Sequence, residues 1–146
     1  MSETVIVDSS IAVKWLLHES DSDIANELLA QWRNKSVTIL APALLLYEVS
    51  NVLYQRVRRG DITSEQARLE IVGLLSSEVT WFFSQYPQLS LRAVELTHQF
   101  PATYDAHYLA LAERENCEFW TADTRLWRAV RDKLEWVHTL VEEPTG

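Results

Sequence analysis

The first polar interruption of an apolar run falls at the eighth residue. Thr4-Val5-Ile6-Val7 is continuous and β-branched before it stops at Asp8, the pattern of a strand buried on both faces. The spacing then turns helical. Ser9 and Ser10 offer cap hydroxyls to a helix over residues 11–17, and Ser20-Asp21-Ser22-Asp23 precede a second helical pattern carrying Ile24, Leu28, Leu29 and Trp32. Val37-Thr38-Ile39-Leu40 predicts a second strand, ended by Ala41-Pro42, with Pro42 suited to the first turn of the helix that follows. That helix covers residues 43–59, with Leu45, Val49, Val52, Leu53 and Val57 at helical spacing and Gly60 as its stop. Thr63-Ser64-Glu65-Gln66 has the form of a capping box opening another helix through Ile71, Leu74 and Leu75. Further along, residues 79–83 predict a strand and residues 91–100 and 104–115 two helices parted by Pro101. A strand over 117–121, a helix over 124–132 and a last strand or tail over 136–141 complete the pattern.

Strands alternating with helical segments imply crossover connections, hence an α/β fold with a mostly parallel sheet and helices on both faces. No repeat, linker or composition break divides the chain, so residues 1–146 are expected to form one domain. Ligands of such sheets bind outside the carboxyl ends of the strands. Acidic residues at strand ends therefore become the places to look.

Composition narrows the class. With 47% hydrophobic and 23% charged residues, and only three Gly and four Pro, the chain is neither disordered nor collagen-like. Cys117, the single cysteine, has no intramolecular partner, and no stretch approaches the ~18 consecutive apolar residues of a membrane span. Glu3 and Asp8 stand where a secretory signal carries positive charge, so a cytoplasmic, reducing location without membrane contact is expected. The formal charge of −8 argues against a general polyanion binder. Contact with nucleic acid has to come from a local basic patch.

Four carboxylates interrupt apolar surroundings. Asp8 closes the first strand, Asp123 follows the fourth predicted strand, Glu48 sits among Leu44, Leu45, Leu46, Val49 and Val52, and Asp105 opens the segment TYDAHYLALAE. Desolvating such groups costs several kcal/mol unless cations or hydrogen-bond donors compensate, of order 3–5 kcal/mol when a charge is left alone. A divalent ion compensates several at once, and oxygen-only ligands select a hard ion, Mg2+ or Mn2+. Such clusters activate water and stabilise the charge that builds on a phosphodiester, so metal-dependent phosphodiester hydrolysis is the expected chemistry. Taken singly, each acid also suits a helix cap, a turn or a solvent-facing helix edge.

The segments VIVDSSIAVKWL, APALLLYEVSNVL, TYDAHYLALAE and FWTADTRLW, in this order, resemble the PIN-domain ribonucleases, particularly the VapC-type toxins of prokaryotic toxin–antitoxin pairs. The resemblance spans nearly the whole chain. It implies a three-layer α/β/α sandwich, Mg2+- or Mn2+-dependent endoribonuclease activity on RNA, a homodimer, and neutralisation by a small cognate antitoxin. Carried over residue by residue, it makes Asp8, Glu48, Asp105 and Asp123 the catalytic and metal-binding acids, with Asp123 holding the ion directly or through water.

Around these acids the same segments offer helpers. Asn51, three positions after Glu48, shares its helix face, and the hydroxyls of Ser9 and Thr121 adjoin the strand-end acids as outer hydrogen-bond partners or as plain caps. Arg125 and Arg128 follow Asp123 closely and, with Lys14, are the candidates for phosphate contacts. Two other functions fit parts of the pattern: an aspartyl-phosphate phosphotransfer enzyme with Asp8 as nucleophile, and a non-catalytic PIN-like interaction module. The first wants a paired acid in a D-x-D, where this chain has Ser10; the second sits poorly with four retained acids.

Overall fold

The structure is a computed structural model that describes residues 3–82, 87–101 and 106–140. Its elements follow in the order β1 (Thr4–Val7), α1 (Ser9–Leu16), α2 (Ser22–Asn34), β2 (Thr38–Pro42), α3 (Ala43–Arg59), α4 (Ser64–Leu75), β3 (Val79–Phe82), α5 (Pro87–Gln99), α6 (Ala106–Glu115), β4 (Glu118–Thr121), α7 (Thr124–Val130) and β5 (Val137–Thr139). The strands form one sheet in the order β3-β2-β1-β4-β5, and every pair is parallel. Right-handed crossovers put α1 to α4 on one face and α5 to α7 on the other, which is the expected three-layer α/β/α arrangement.

Burial on both faces explains why the central strands read as unbroken apolar runs. Val5, Ile6 and Val7 of β1, Ile39 and Ala41 of β2 and Phe119 of β4 are all buried, and they join Leu45, Val49 and Leu53 of α3 and most of α6 in one core. Ile6 lies between Leu40 and Phe119 in the register. The helices end where the local chemistry says they should. Gly60 takes a left-handed conformation (φ 80°) and returns its N–H to Val57, ending α3. Thr63 and Gln66 form the reciprocal capping box that opens α4.

Several boundaries differ from the sequence reading: α1 spans Ser9–Leu16 with Asp8 as its cap, β4 begins at Glu118 and α7 ends at Val130. Pro42 is the last residue of β2, in register with Phe82, and its extended backbone (ψ 162°) caps α3 from outside. Helix α5 begins at Pro87, ahead of the predicted residue 91, because proline is at home in a first helical turn. The final strand spans only Val137–Thr139, since an edge strand can pair no further than its one neighbour, the four-residue β4. Of the predicted helix over 104–115, Tyr104 and Asp105 lie outside the described residues. No described helix is long and apolar enough to cross a membrane.

Candidate active site

The winding of the chain changes direction between β1 and β4: β1 leads into α1 on one face, while its neighbour β4 leads into α7 on the other. The carboxyl ends of two such strands border the crevice in which open α/β sheets hold their ligands. Asp8 stands there, the residue after β1 and the N-cap of α1, and only 2% exposed. Its Oδ1 accepts from the Ser10 amide (3.1 Å) and the Ser10 hydroxyl (2.5 Å), and its Oδ2 from the Thr121 hydroxyl (2.5 Å). Its own N–H donates to the Trp120 carbonyl at 3.4 Å, extending the β1–β4 ladder by one bond.

The two hydroxyls also work in the other direction. Ser10 Oγ accepts the Ala122 amide (2.8 Å) and Thr121 Oγ1 accepts the Asp123 amide (3.0 Å), so the chain leaving β4 is tied to the one leaving β1. Asp123 then caps α7, its Oδ1 accepting the amides of Arg125 (3.0 Å) and Leu126 (3.2 Å). Asp8 and Asp123 are thus joined through Thr121. Each caps a helix on a different face of the sheet, and among the described residues no hydrogen bond falls on Oδ2 of Asp123.

Glu48 is positioned separately. It lies half-buried in the second turn of α3, and its Oε1 accepts the hydroxyl of Tyr108, a fully buried residue of α6. The bond spans the strand ends, from a helix on one face to a helix on the other. Among the described residues, no three His, Cys, Asp or Glu side chains come close enough to share a metal ion. Asp105, the remaining candidate acid, is outside the described residues. The donors at this edge are carboxylate and hydroxyl oxygens only, a set that fits a hard divalent cation such as Mg2+ or Mn2+.

The other candidates fall into place unevenly. Thr121 is fully buried against Asp8, but Ser10, not Ser9, supplies the serine hydroxyl that Asp8 accepts. The reason is helical geometry: an N-cap carboxylate reaches the second and third helical residues, and Ser9 is the first. Asn51 is exposed, and the partner of Glu48 is Tyr108. Lys14 turns its ammonium to the α1–α2 loop, donating to the Ser20 carbonyl at 2.7 Å with Glu19 at 3.6 Å. Arg125 and Arg128 are exposed on α7, directly behind Asp123. Ser10 and Tyr108 are the two residues missed by sequence reading. Tyr108 carried a signal, since a tyrosine inside the apolar run AHYLALA has a polar tip that needs an acceptor when buried.

At the opposite edge of the sheet a cavity of about 250 Å³ lies among Ala112, Glu113, Asn116, Cys117, Glu118 and Trp136. Burial, and then the nearby Glu115 and Glu118 carboxylates, push the Cys117 thiol up to about 11. At neutral pH it is a protonated thiol and a poor nucleophile.

The hydroxyl bridge makes a direct prediction. Thr121→Val keeps the shape of the side chain but strips a partner from Asp8 Oδ2 and from the Asp123 amide at a fully buried position. A loss of about 1–3 kcal/mol is expected, read as a lower midpoint in urea denaturation.

Comparison with known proteins agrees with this fold. In fold the chain is similar to Mycobacterium tuberculosis VapC20, described as a toxin that cleaves the sarcin–ricin loop, with a TM-score of 0.62 and 16% identity over 80% of this chain and 86% of that one. It is similar also to a chain of VapBC2 from Rickettsia felis, solved bound to a DNA fragment from its promoter, with a TM-score of 0.66 and 15% identity over 86% of this chain and 92% of that one. No curated protein matches it in sequence. The model of the PIN domain matches residues 5–133, a span that runs from β1 past α7 and takes in Asp8, Glu48 and Asp123. With an all-parallel five-stranded sheet and buried acid at its switch point, the chain belongs to the PIN-domain family.

Proposed function

We propose that this chain is a divalent-metal-dependent endoribonuclease, the toxin of a type II toxin–antitoxin pair. The observation that carries the reading is the buried Asp8 carboxylate, oriented through both oxygens at the switch point of the sheet and linked through Thr121 to Asp123. Asp8, Glu48, Asp105 and Asp123 are the proposed acids for Mg2+ or Mn2+. A bound ion supplies charge for the phosphodiester transition state and a more acidic water. The chain supplies the rest: Ser10 and Thr121 fix the rotamer of Asp8, Tyr108 fixes Glu48, and Arg125 and Arg128 meet backbone phosphates arriving over α7. Lys14 reaches RNA only by giving up its contacts with Ser20 and Glu19.

A small cognate antitoxin, a second copy of the chain and a cytoplasmic location belong to the same reading. The VapBC2 structure supports an antitoxin partner by its fold likeness. Exposed Tyr54 and the groove between α3 and α4 offer apolar surface for a protein partner.

The deciding measurement is incubation of the purified chain with total RNA, with and without Mg2+ or Mn2+, followed by mapping of the new ends. Discrete new ends are expected with either ion, none in EDTA, and recovery when the ion is restored. Cleavage that persists in EDTA, or no cleavage with either ion, overturns the reading. A phosphate covalently attached to Asp8 after phosphodonor treatment would point instead to the phosphotransfer chemistry.

A further inference from the structure

Tyr108 has two features that packing alone does not require. It is fully buried, with its ring 5.9 Å from that of Phe119 at a tilt of 57°, so a phenylalanine would fill the same space. A buried phenol needs an acceptor, and a helix carbonyl would serve. Here the acceptor is a carboxylate on a different helix, 60 residues away in sequence, near the carboxyl edge of the sheet where Asp8 and Asp123 stand. A donor held rigidly by its ring is the arrangement that fixes one oxygen of a carboxylate and presents the other.

We propose that Tyr108 is a positioning residue for Glu48: it holds Oε1 so that Oε2 is delivered to a divalent cation at the carboxyl edge of the sheet. The proposal rests on the metal-dependent reading above and extends it to a residue outside the four acids. It also gives α6 a second task. The helix that follows Asp105 in the chain holds an acid of α3, so one bond of the site also ties the two helical layers together.

The test is Mn2+ binding to the RNA-free protein, followed by the electron paramagnetic resonance signal of the free ion. Wild type, Tyr108→Phe, Glu48→Gln and the double variant are compared, with circular dichroism recording the fold of each. Tyr108→Phe removes one oxygen and keeps the ring against Phe119. It is expected to weaken Mn2+ binding by about 10-fold or more, the scale of outer-partner losses at metal sites. Added to Glu48→Gln, it should weaken binding no further, because its effect passes through that carboxylate. Wild-type affinity in Tyr108→Phe, or losses that multiply in the double variant, overturns the role of Tyr108 and leaves the metal reading standing. Absence of Mn2+ binding by the wild type overturns both.

Discussion

Asp8→Asn is expected to lower the proposed RNA cleavage by about two to three orders of magnitude, the scale of one preorganised electrostatic partner, while the sheet and helices persist. The volume hardly changes, but the negative charge is lost at a buried acid of the switch point. The cost to the fold follows from the hydroxyls. An amide still accepts from Ser10 through its oxygen, but places an N–H opposite Thr121 Oγ1. The Thr121 proton must then turn to Ser10 Oγ, 3.3 Å away. One strained hydrogen bond replaces a charge-assisted one, about 1–2 kcal/mol, partly offset because a buried charge is no longer desolvated. Cleavage of total RNA and a urea melt of the same preparation check both halves. Undiminished cleavage by the folded variant would falsify the proposed site.

Phe119→Ala has the largest expected effect on stability. The residue is fully buried in β4, in register with Ile6 on one side and Val137 on the other, and its ring meets that of Tyr108. Truncation removes the ring's transfer energy and leaves a cavity that flanking strands cannot close, about 3–5 kcal/mol. Domains of this kind are stable by only ~5–15 kcal/mol, so a large part of the margin goes at once. Urea or thermal unfolding reads it directly. The site should loosen as well, because β4 carries Thr121 two residues on and Tyr108 loses its ring neighbour.

What the chain revealed before folding was mostly local. The stop of α3 at Gly60 and the capping box at Thr63 depend on a few adjacent residues, and both stand where they were read. The apolar runs of β1 and β2 announced a buried parallel sheet for the same reason. Strand order is a different kind of fact. β1 pairs with β4 across more than a hundred residues, and nothing in either segment names its partner. The acids at strand ends were legible because a carboxylate ending an apolar run is conspicuous, but their supporting bonds were not. Choosing Ser10 over Ser9 needs the cap geometry of α1, and matching Tyr108 to Glu48 needs two helices brought together over the sheet edge.

The bond from Thr121 to Asp8 closes a loop of 113 positions. During synthesis, a nascent chain on the ribosome therefore has no assembled polar edge until β4 has emerged and docked beside β1. Prematurely terminated products that stop short of residue 121 lack the Asp123 cap and the Thr121 hydroxyl that Asp8 Oδ2 accepts. The polar edge is thus completed by long-range strand pairing, the slow class of contact in folding.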